Sequence, residues 1–410
     1  MPPLRILIIG AGVAGPSLAF WLARCGHRIT ITERSPNLRA SGAQIDLRAQ
    51  GITVARMMGL MPYIQRHLVD EAGVAYLDSR GRVIGTIMAN RSGRGAQSLT
   101  SEYEIMRGDL VNVLYDATKN LDGIDYEFGK TVERFVQEGD GVKVWYDDKT
   151  TEKFDVLVGA DGQGSRTRKS MQKNSNNEDS VRRLGVYLAY WNISRTKTDS
   201  NIRQMYIAPS RWIFCRSHSE TDTQAYFFFR DDSDEAKSMT RAPEEEQKQF
   251  WTKNFQGLGW QTERFIDGMK TTSDFYCQEA AQIKTNTWSQ GRVVLLGDAA
   301  HCASPLTGMG TTGAFVGAYV LAGEITRHSQ NLDLAFANYD RILRPFVDEI
   351  QKLKPLQINI GFPTTQLGVS LLHAFVRLIC WLRLPYIIAR LFSEVKGGWE
   401  LPVYAELISK

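Results

Sequence analysis

The chain has 410 residues, of which 43% are hydrophobic and 23% charged, and its formal net charge is +4. These proportions are typical of a globular protein large enough for two joined domains, and the scattered basic residues argue against a nucleic-acid partner. The five cysteines include no Cys-x-x-Cys pair, which argues against a disulfide framework or a zinc site and favours a reducing compartment.

The first informative motif is a glycine-rich turn between a predicted strand, residues 4–9, and a predicted helix, residues 16–24. Gly10 permits a tight turn, Gly12 lets the backbone approach a pyrophosphate, and Gly15 lets the helix pack on the strand. The free N–H groups at the start of the helix attract phosphate. No signal peptide precedes this strand, so we expect a cytoplasmic protein.

An acidic residue follows the second predicted strand, residues 27–32. Glu33 lies about 20 residues beyond the glycines, where a carboxylate accepts hydrogen bonds from ribose hydroxyls. This spacing favours an unphosphorylated adenosine ribose, as in FAD or NAD.

The middle of the chain predicts an antiparallel sheet inserted between the nucleotide-binding segments. Its strands are predicted at residues 186–193, 204–207, 211–215 and 224–229. Residues 89–97 and 170–178 are polar and are predicted to be loops.

Two further motifs place an aspartate directly after an apolar run. Asp161-Gly162 follows residues 155–160, and the alternative interpretation is a turn in which Asp161 caps the next helix. Gly297-Asp298 follows residues 292–296 and precedes a glycine-rich loop and an apolar helix, residues 314–325. An aspartate in this position can bind sugar or ribityl hydroxyls, and the glycine-rich start of the helix can face a phosphate or a flavin. The alternative interpretation of the whole segment is a structural loop and helix cap.

In this order, the three motifs resemble those of the single-component, FAD-dependent aromatic monooxygenases of the para-hydroxybenzoate hydroxylase type, close to the tetracycline-inactivating branch. The resemblance implies a mixed α/β fold, with a Rossmann-like FAD-binding domain of glutathione-reductase type, an interleaved antiparallel-sheet substrate domain and C-terminal helices. We predict the FAD-binding domain at residues 1–75, 102–180 and 285–350, the substrate domain at 76–101 and 181–284, and the helical segment at 351–410.

The motifs and the resemblance together assign a set of residues to the cofactor, including an arginine in the segment after residue 104 and a loop beside the flavin ring. The predicted cofactor-binding residues are Gly10, Gly12, Ala14, Gly15, Glu33, Arg34, Asp46, Arg48, Arg107, Asp161, Gly162, Asp298, Pro305, Gly308, Gly310 and Thr311. No residue is assigned as a catalytic acid or base, no metal site is predicted, and His301 is expected to be structural.

The resemblance also implies the reaction. NADPH or NADH binds transiently and reduces FAD, O2 forms a flavin C4a-hydroperoxide, and one oxygen atom passes to a hydrophobic, aromatic or polycyclic small molecule, as in secondary metabolism. Hydroxylation, epoxidation and Baeyer–Villiger insertion stay open, as does a monomer or a dimer. Two alternatives stay open, a flavin oxidase or dehydrogenase on the same fold and a non-catalytic flavoprotein. A flavin-dependent halogenase is disfavoured because no Trp-x-Trp-x-Ile-Pro motif occurs.

Aromatic residues of the inserted sheet are expected to line the substrate pocket where their strand face points inward, the alternative being core packing. The predicted pocket residues are Tyr187, Trp191, Met205, Trp212, Phe214, Phe227 and Phe229.

The segment 367–392 is apolar, but Arg377, Arg383 and Arg390 interrupt it and Pro385 breaks it, so no transmembrane span is predicted. We expect two helices that pack on the body of the protein. The alternative is a peripheral contact in which the arginines face lipid head groups.

Overall fold

The structure, a computed structural model, describes residues 3–38, 42–90, 102–173, 180–384 and 398–408. The strands are β1 Arg5–Ile9, β2 Arg28–Glu33, β3 Gln44–Asp46, β4 Gly73–Leu77, β5 Val83–Met88, β6 Glu104–Met106, β7 Ile124–Phe128, β8 Val132–Glu138, β9 Gly141–Tyr146, β10 Thr151–Phe154, β11 Val156–Gly159, β12 Val181–Ser194, β13 Ile202–Ala208, β14 Arg211–Ser217, β15 Asp222–Arg230, β16 Tyr276–Ile283, β17 Ser289–Gln290 and β18 Val293–Leu295. The helices are α1 Ala14–Arg24, α2 Ala49–Met57, α3 Met61–Arg66, α4 Arg107–Thr118, α5 Arg166–Lys173, α6 Asp234–Met239, α7 Glu244–Phe255, α8 Thr262–Thr271, α9 Asp298–His301, α10 Gly310–Arg327, α11 Leu332–Ile350, α12 Pro355–Gly361, α13 Gln366–Trp381 and α14 Ala405–Ile408, with a 3-10 turn at Pro305–Thr307.

A six-stranded sheet, in the order β17-β18-β11-β1-β2-β7, forms the nucleotide-binding part of the molecule. All of its pairings except that between β17 and β18 are parallel. Its central strands are short apolar runs that are buried in one core cluster with helices α1 and α10, as expected for a parallel sheet.

A seven-stranded sheet, in the order β16-β12-β15-β14-β13-β4-β5, lies beside it. Its pairings are antiparallel except for that between β4 and β13, and its strands come from two separate parts of the chain, residues 73–88 and 181–283. Helices α6, α7 and α8 cover one face, called here the outer face. The other face, called the inner face, packs with Ala43 and Leu306 of the nucleotide-binding part. This arrangement confirms the predicted mixed α/β fold.

Two smaller sheets and the C-terminal helices complete the described structure. Strands β8, β9 and β10 form one small sheet, and β3 pairs with β6 in the other. Helix α13 packs against β5 and α14 against α10. Among the residues described, no helix has both the length and the apolar character needed to cross a membrane. The predicted loops at 89–97 and 170–178 and the second half of the segment 367–392 lie largely outside the described residues.

Candidate active site

The three motifs meet because their strands are neighbours. Strands β18, β11, β1 and β2 are adjacent and parallel, so their carboxyl ends lie at one edge of the sheet. The Gly10 N–H donates to the Thr32 carbonyl at 2.8 Å. A Cβ placed on Gly10 would lie only 2.6 Å from the Ala160 carbonyl oxygen, so the glycine turn and the Asp161 turn are in direct contact. Ligands bind at this edge in open α/β sheets.

The glycine turn leaves room for a ligand at one position only. A Cβ on Gly15 would collide with the Gly10 carbonyl oxygen at 2.1 Å, so this glycine serves helix packing. A Cβ on Gly12 would meet only the Arg107 guanidinium, at 3.5 Å. The backbone at Gly12 is therefore open toward a cation, as a diphosphate site requires. Ala14 is buried and its methyl group packs against Gly297.

Glu33 already joins the second strand to the glycine turn. One carboxylate oxygen accepts the Ala11 N–H at 3.1 Å, and the other accepts the Ser35 N–H at 3.0 Å. A carboxylate has about four acceptor positions, so capacity remains for ribose hydroxyls. The neighbouring Arg34 is exposed at the end of this strand.

Asp161 has the capping role that the sequence left as an alternative. Its carboxylate accepts the Ser165 hydroxyl at 2.6 Å and the main-chain N–H groups of Arg166 and Thr167 at 2.8 and 3.1 Å. The side chain is thus used to start helix α5. Gly162 has a φ of 77°, and a Cβ there would meet nothing within 4 Å, so the open feature of this turn is the backbone.

Arg168 is a residue whose role the sequence analysis missed. Its buried guanidinium donates to the Ala299 carbonyl at 2.8 Å and to the Gln163 carbonyl at 2.7 Å. These bonds fasten the Asp161 turn to the Asp298 turn. The only sequence signal is a basic residue in the first turn of a predicted helix, which is too common to be informative.

Asp298 differs from Asp161 because its carboxylate is exposed at the sheet edge. Gly297 has φ 61° and ψ −138°, a conformation essentially restricted to glycine, and it turns the chain sharply after β18. Although the carboxylate is accessible, the surrounding protein desolvates it and raises its pKa, an effect that Cys302, Arg107 and Arg168 partly oppose. Asp298 is therefore a hydrogen-bonding group presented at the carboxyl edge.

The segment after β3 and the loop before α10 also come together. Arg48 pairs with Asp46 at 2.8 Å, and a Cβ on Gly308 would lie 3.2 Å from the Asp46 carboxylate. The hydroxyl of Thr312, rather than that of the predicted Thr311, exchanges hydrogen bonds of 3.0 Å with the main chain of Arg48. The same loop contains the exposed Pro305, and a Cβ on Gly310 would lie 3.9 Å from Asp298.

The inner face of the seven-stranded sheet carries a row of five aromatic side chains and one methionine. Its members are consecutive cross-strand partners from β4 to β16, namely Tyr76, Met205, Phe214, Tyr226, Tyr190 and Tyr276. Phe214 stacks on Tyr226 with ring centroids 4.5 Å apart. We call these six residues the aromatic row. Leu306 of the loop before α10 packs in the same cluster, so the row faces the nucleotide-binding edge.

The structure divides the seven predicted pocket residues between the two faces of the sheet. Met205, Trp212 and Phe214 are on the inner face, where Trp212 also stacks on Phe362 at 4.1 Å. The side chains on the outer face, packed under helices α6 to α8, are Tyr187, Trp191, Phe227 and Phe229. These four side chains are turned away from the nucleotide-binding part, because side chains alternate between faces along a strand and the prediction took residues from both faces.

His301 lies inside the protein, between Trp288 and Tyr339. Burial lowers the pKa of its imidazole to about 4, so the ring is neutral at physiological pH. A Cβ on Gly317 would lie 3.1 Å from its Nε2, which shows how closely helix α10 packs on it. These contacts give His301 a packing role.

A buried charged cluster connects the inner face to β3 and β6. Arg203 pairs with Glu71 at 2.7 Å and with Glu104 at 3.8 Å, and Arg216 pairs with Glu71 at 3.4 Å. Gln44 donates from its side-chain amide to Glu104. Burial raises the pKa of Glu104 to about 7, with Arg216 and Arg203 opposing the rise and Glu71 and Asp46 reinforcing it. The sequence analysis did not identify this cluster, because its members are far apart in the chain.

Comparison with known proteins decides the family. The FAD binding domain family matches residues 4–331. The chain belongs to this family. It is 35% identical to the FAD-dependent monooxygenase asL6 of Sarocladium schorii over 98% of this chain and 99% of the relative. It is 38% identical to the flavin-dependent monooxygenase eupH of a Phoma species over 90% of each chain.

A solved structure agrees with these relatives. The crystal structure of tetracycline destructase Tet(51) superposes with a TM-score of 0.79 at 30% identity, over 98% of this chain and all of that one. The resemblance stated from the motifs is thereby confirmed, and the chain is a FAD-dependent monooxygenase whose cofactor is FAD. The open backbone at Gly12 beside Arg107 and the exposed carboxylate of Asp298 fit such a cofactor.

Proposed function

We propose that this enzyme uses NADPH or NADH to insert one oxygen atom from O2 into a hydrophobic, aromatic or polycyclic small molecule of secondary metabolism. The observation that carries the proposal is the aromatic row, which faces the loop before α10 across the inner face. Ring faces at this position favour a flat, electron-rich ligand.

The cofactor is proposed to lie along the carboxyl edge of the six-stranded sheet. The backbone at Gly12 and the N-terminus of α1 would hold the diphosphate with Arg107, and Glu33 would accept hydrogen bonds from the ribose. Asp298 would bind the ribityl hydroxyls. Asp161 is left out of direct binding because its carboxylate caps α5.

The chemistry is supplied by the flavin, which when reduced activates O2 for transfer of one oxygen atom to an electron-rich substrate. The protein has three tasks, namely to bind the flavin, to orient the substrate and to exclude water. The aromatic row and Trp212 would orient a flat substrate above the loop at Gly308 and Leu306. This division of tasks requires no acid, base or metal ligand from the chain.

The experiment is a visible spectrum of the purified protein followed by NADPH or NADH under air, with a panel of phenolic, indolic and polyketide-like compounds. We expect flavin absorbance and a substrate-dependent increase in both nicotinamide oxidation and O2 consumption. The product mass should rise by one oxygen atom, derived from labelled O2.

Two results would overturn the proposal. Flavin that substrate reduces without any nicotinamide would identify an oxidase or dehydrogenase. Flavin that neither nicotinamide reduces anaerobically, with every ligand tested, would identify a non-catalytic flavoprotein.

A further inference from the structure

Helix α13 has an unusual distribution of apolar residues, because they cover both of its sides. The buried side includes Val369 and Val376, and its packing on β5 is so close that a Cβ on Gly85 would lie 2.9 Å from the Cys380 sulfur. The opposite side is exposed and apolar as well, whereas a surface helix normally turns polar residues outward. The exposed apolar residues are Leu367, Leu371, Ala374, Phe375, Leu378, Trp381 and, just after the helix, Leu382.

These residues form one stripe. At 100° per residue, their spacing of three and four places them within about 120° of the helix circumference. Trp381 is 79% exposed and Leu367 is 71% exposed. We call these seven residues the apolar stripe. Contiguous exposed apolar surface of this kind marks an interaction site.

The charged side chains of the segment that carries the stripe are all of one sign. Residues 366–384 contain no aspartate or glutamate, and both arginines of this segment, Arg377 and Arg383, are exposed. Arg377 lies on the helix beside the stripe, and Arg383 follows its end. Asp78 acts electrostatically on His373 of this helix, but it lies outside the segment. A protein partner would be expected to match a mixed pattern of charges, whereas an apolar stripe whose own segment carries only cationic side chains complements anionic head groups above an acyl layer.

We propose that the apolar stripe docks this enzyme on the surface of an anionic lipid bilayer. The helix would lie in the interface plane, with the stripe in the acyl boundary and the two arginines at the phosphates. At 16 residues, α13 is too short to cross the bilayer, so the contact is peripheral.

Docking has a consequence for substrate access, which rests on the proposed function. Val369 and Leu372, on the inward side of α13, pack in the same cluster as Phe214 and Tyr226 of the aromatic row. One helix, about 10 Å in diameter, thus separates the stripe from the cluster that includes the row. A lipophilic substrate dissolved in the bilayer would have a short path to that face.

The test is flotation of the flavin-loaded full chain with vesicles of phosphatidylcholine alone or of equal parts phosphatidylcholine and phosphatidylglycerol, at low and high salt. We expect binding to the anionic vesicles that weakens with salt. The double variant L371S/F375S should lose most of this binding. Its control, V136S/L334S, removes two exposed apolar side chains outside the stripe, on β8 and α11, and should bind as the wild type does.

The arginines are tested separately. R377Q/R383Q should weaken binding to anionic vesicles by about fivefold per arginine, which corresponds to about 1 kcal/mol each, and should leave binding to neutral vesicles unchanged. The control K253Q/K270Q removes two exposed lysines from the helices of the outer face and should have no such effect.

Three outcomes would overturn the proposal. The first is a wild-type protein that does not float with anionic vesicles at low salt, and the second is an equal loss of vesicle binding in the stripe variant and its control. The third is a wild-type protein that binds no vesicles but is a dimer in light scattering, which L371S/F375S converts to a monomer. Flotation needs no turnover, so the docking test can be interpreted even if the proposed reaction is wrong. In the same way, a failure of docking would leave the reaction assay unaffected.

Discussion

Both faces of the seven-stranded sheet carry aromatic side chains, but the two faces are covered by different parts of the protein. On the outer face, Phe227 packs against Phe255 of helix α7, with ring centroids 4.2 Å apart. On the inner face, the adjacent Phe228 is only partly buried and lies near Trp212 and Phe214. An aromatic residue in this sheet therefore indicates a binding site only when it is known which face of the sheet its side chain occupies.

The largest effect should come from the outer face. Phe227→Ala removes a fully buried ring that also contacts Trp191 edge to face, so we expect it to lower the free energy of unfolding by about 3–5 kcal/mol. Chemical denaturation of the flavin-loaded protein measures this loss. The variant that is folded and loaded with flavin should keep its substrate-dependent nicotinamide oxidation. A selective rise in the KM for the substrate would contradict the assignment of this face to the core.

The two aspartates of the nucleotide-binding edge extend the same comparison. Asp298→Ala should weaken FAD binding by about ten- to a hundredfold, since hydrogen bonds to charged groups contribute about 1.5–3 kcal/mol. Asp161→Ala should instead cost about 0.5–2 kcal/mol of stability through the start of α5, and Asp161→Asn should restore part of it. Flavin titration of the apoproteins together with thermal denaturation separates these effects, and equal losses of FAD in both alanine variants would refute the distinction.

Much of the nucleotide-binding edge could be predicted because its signals are local. A strand, a glycine with φ 114° at Gly10 and a helix are encoded within a few residues, and the parallel order of the strands brings the motifs together. Asp161 and Asp298 both follow a buried strand, so the sequence does not show which one is used as a cap. That difference depends on hydrogen bonds formed by the residues after each turn.

The inner face could be predicted only in part. Alternation along β12 puts Tyr187 and Trp191 on one face and Tyr190 on the other, but which face points toward the cofactor depends on where helices α6 to α8 pack. A register shift between Arg183 and Val186 further interrupts the alternation. Similarly, the rotation of α10 decides that Thr312, and not Thr311, contacts Arg48.

A smaller effect is expected on the inner face itself. Phe228→Ala should change stability less than Phe227→Ala does, because the ring is only partly buried. If the inner face binds substrate, KM should rise by roughly fivefold, the equivalent of about 1 kcal/mol of lost aromatic contact. Steady-state nicotinamide oxidation with the first substrate identified measures this change. Unaltered KM in this variant would remove the support for the proposed substrate face.

A pH-dependent effect is expected from the buried charged cluster at the border of the inner face, where Arg216 lies 5.3 Å from the ring of Phe214. The pKa of Glu104 is raised by burial from 4.5 to about 7, so between these pH values the folded protein binds a proton that the unfolded chain has released. The contribution of this residue to the free energy of unfolding therefore falls as the pH rises from about 4.5 to 7, by at most about 1.4 kcal/mol per pH unit. Glu104→Gln should flatten this part of the stability curve, measured by urea unfolding from pH 5 to pH 8, whereas Glu138→Gln, which alters an exposed carboxylate on β8, should not. Parallel curves for the wild type and Glu104→Gln would show that Glu104 is ionised throughout, and that the two arginines outweigh burial at this border.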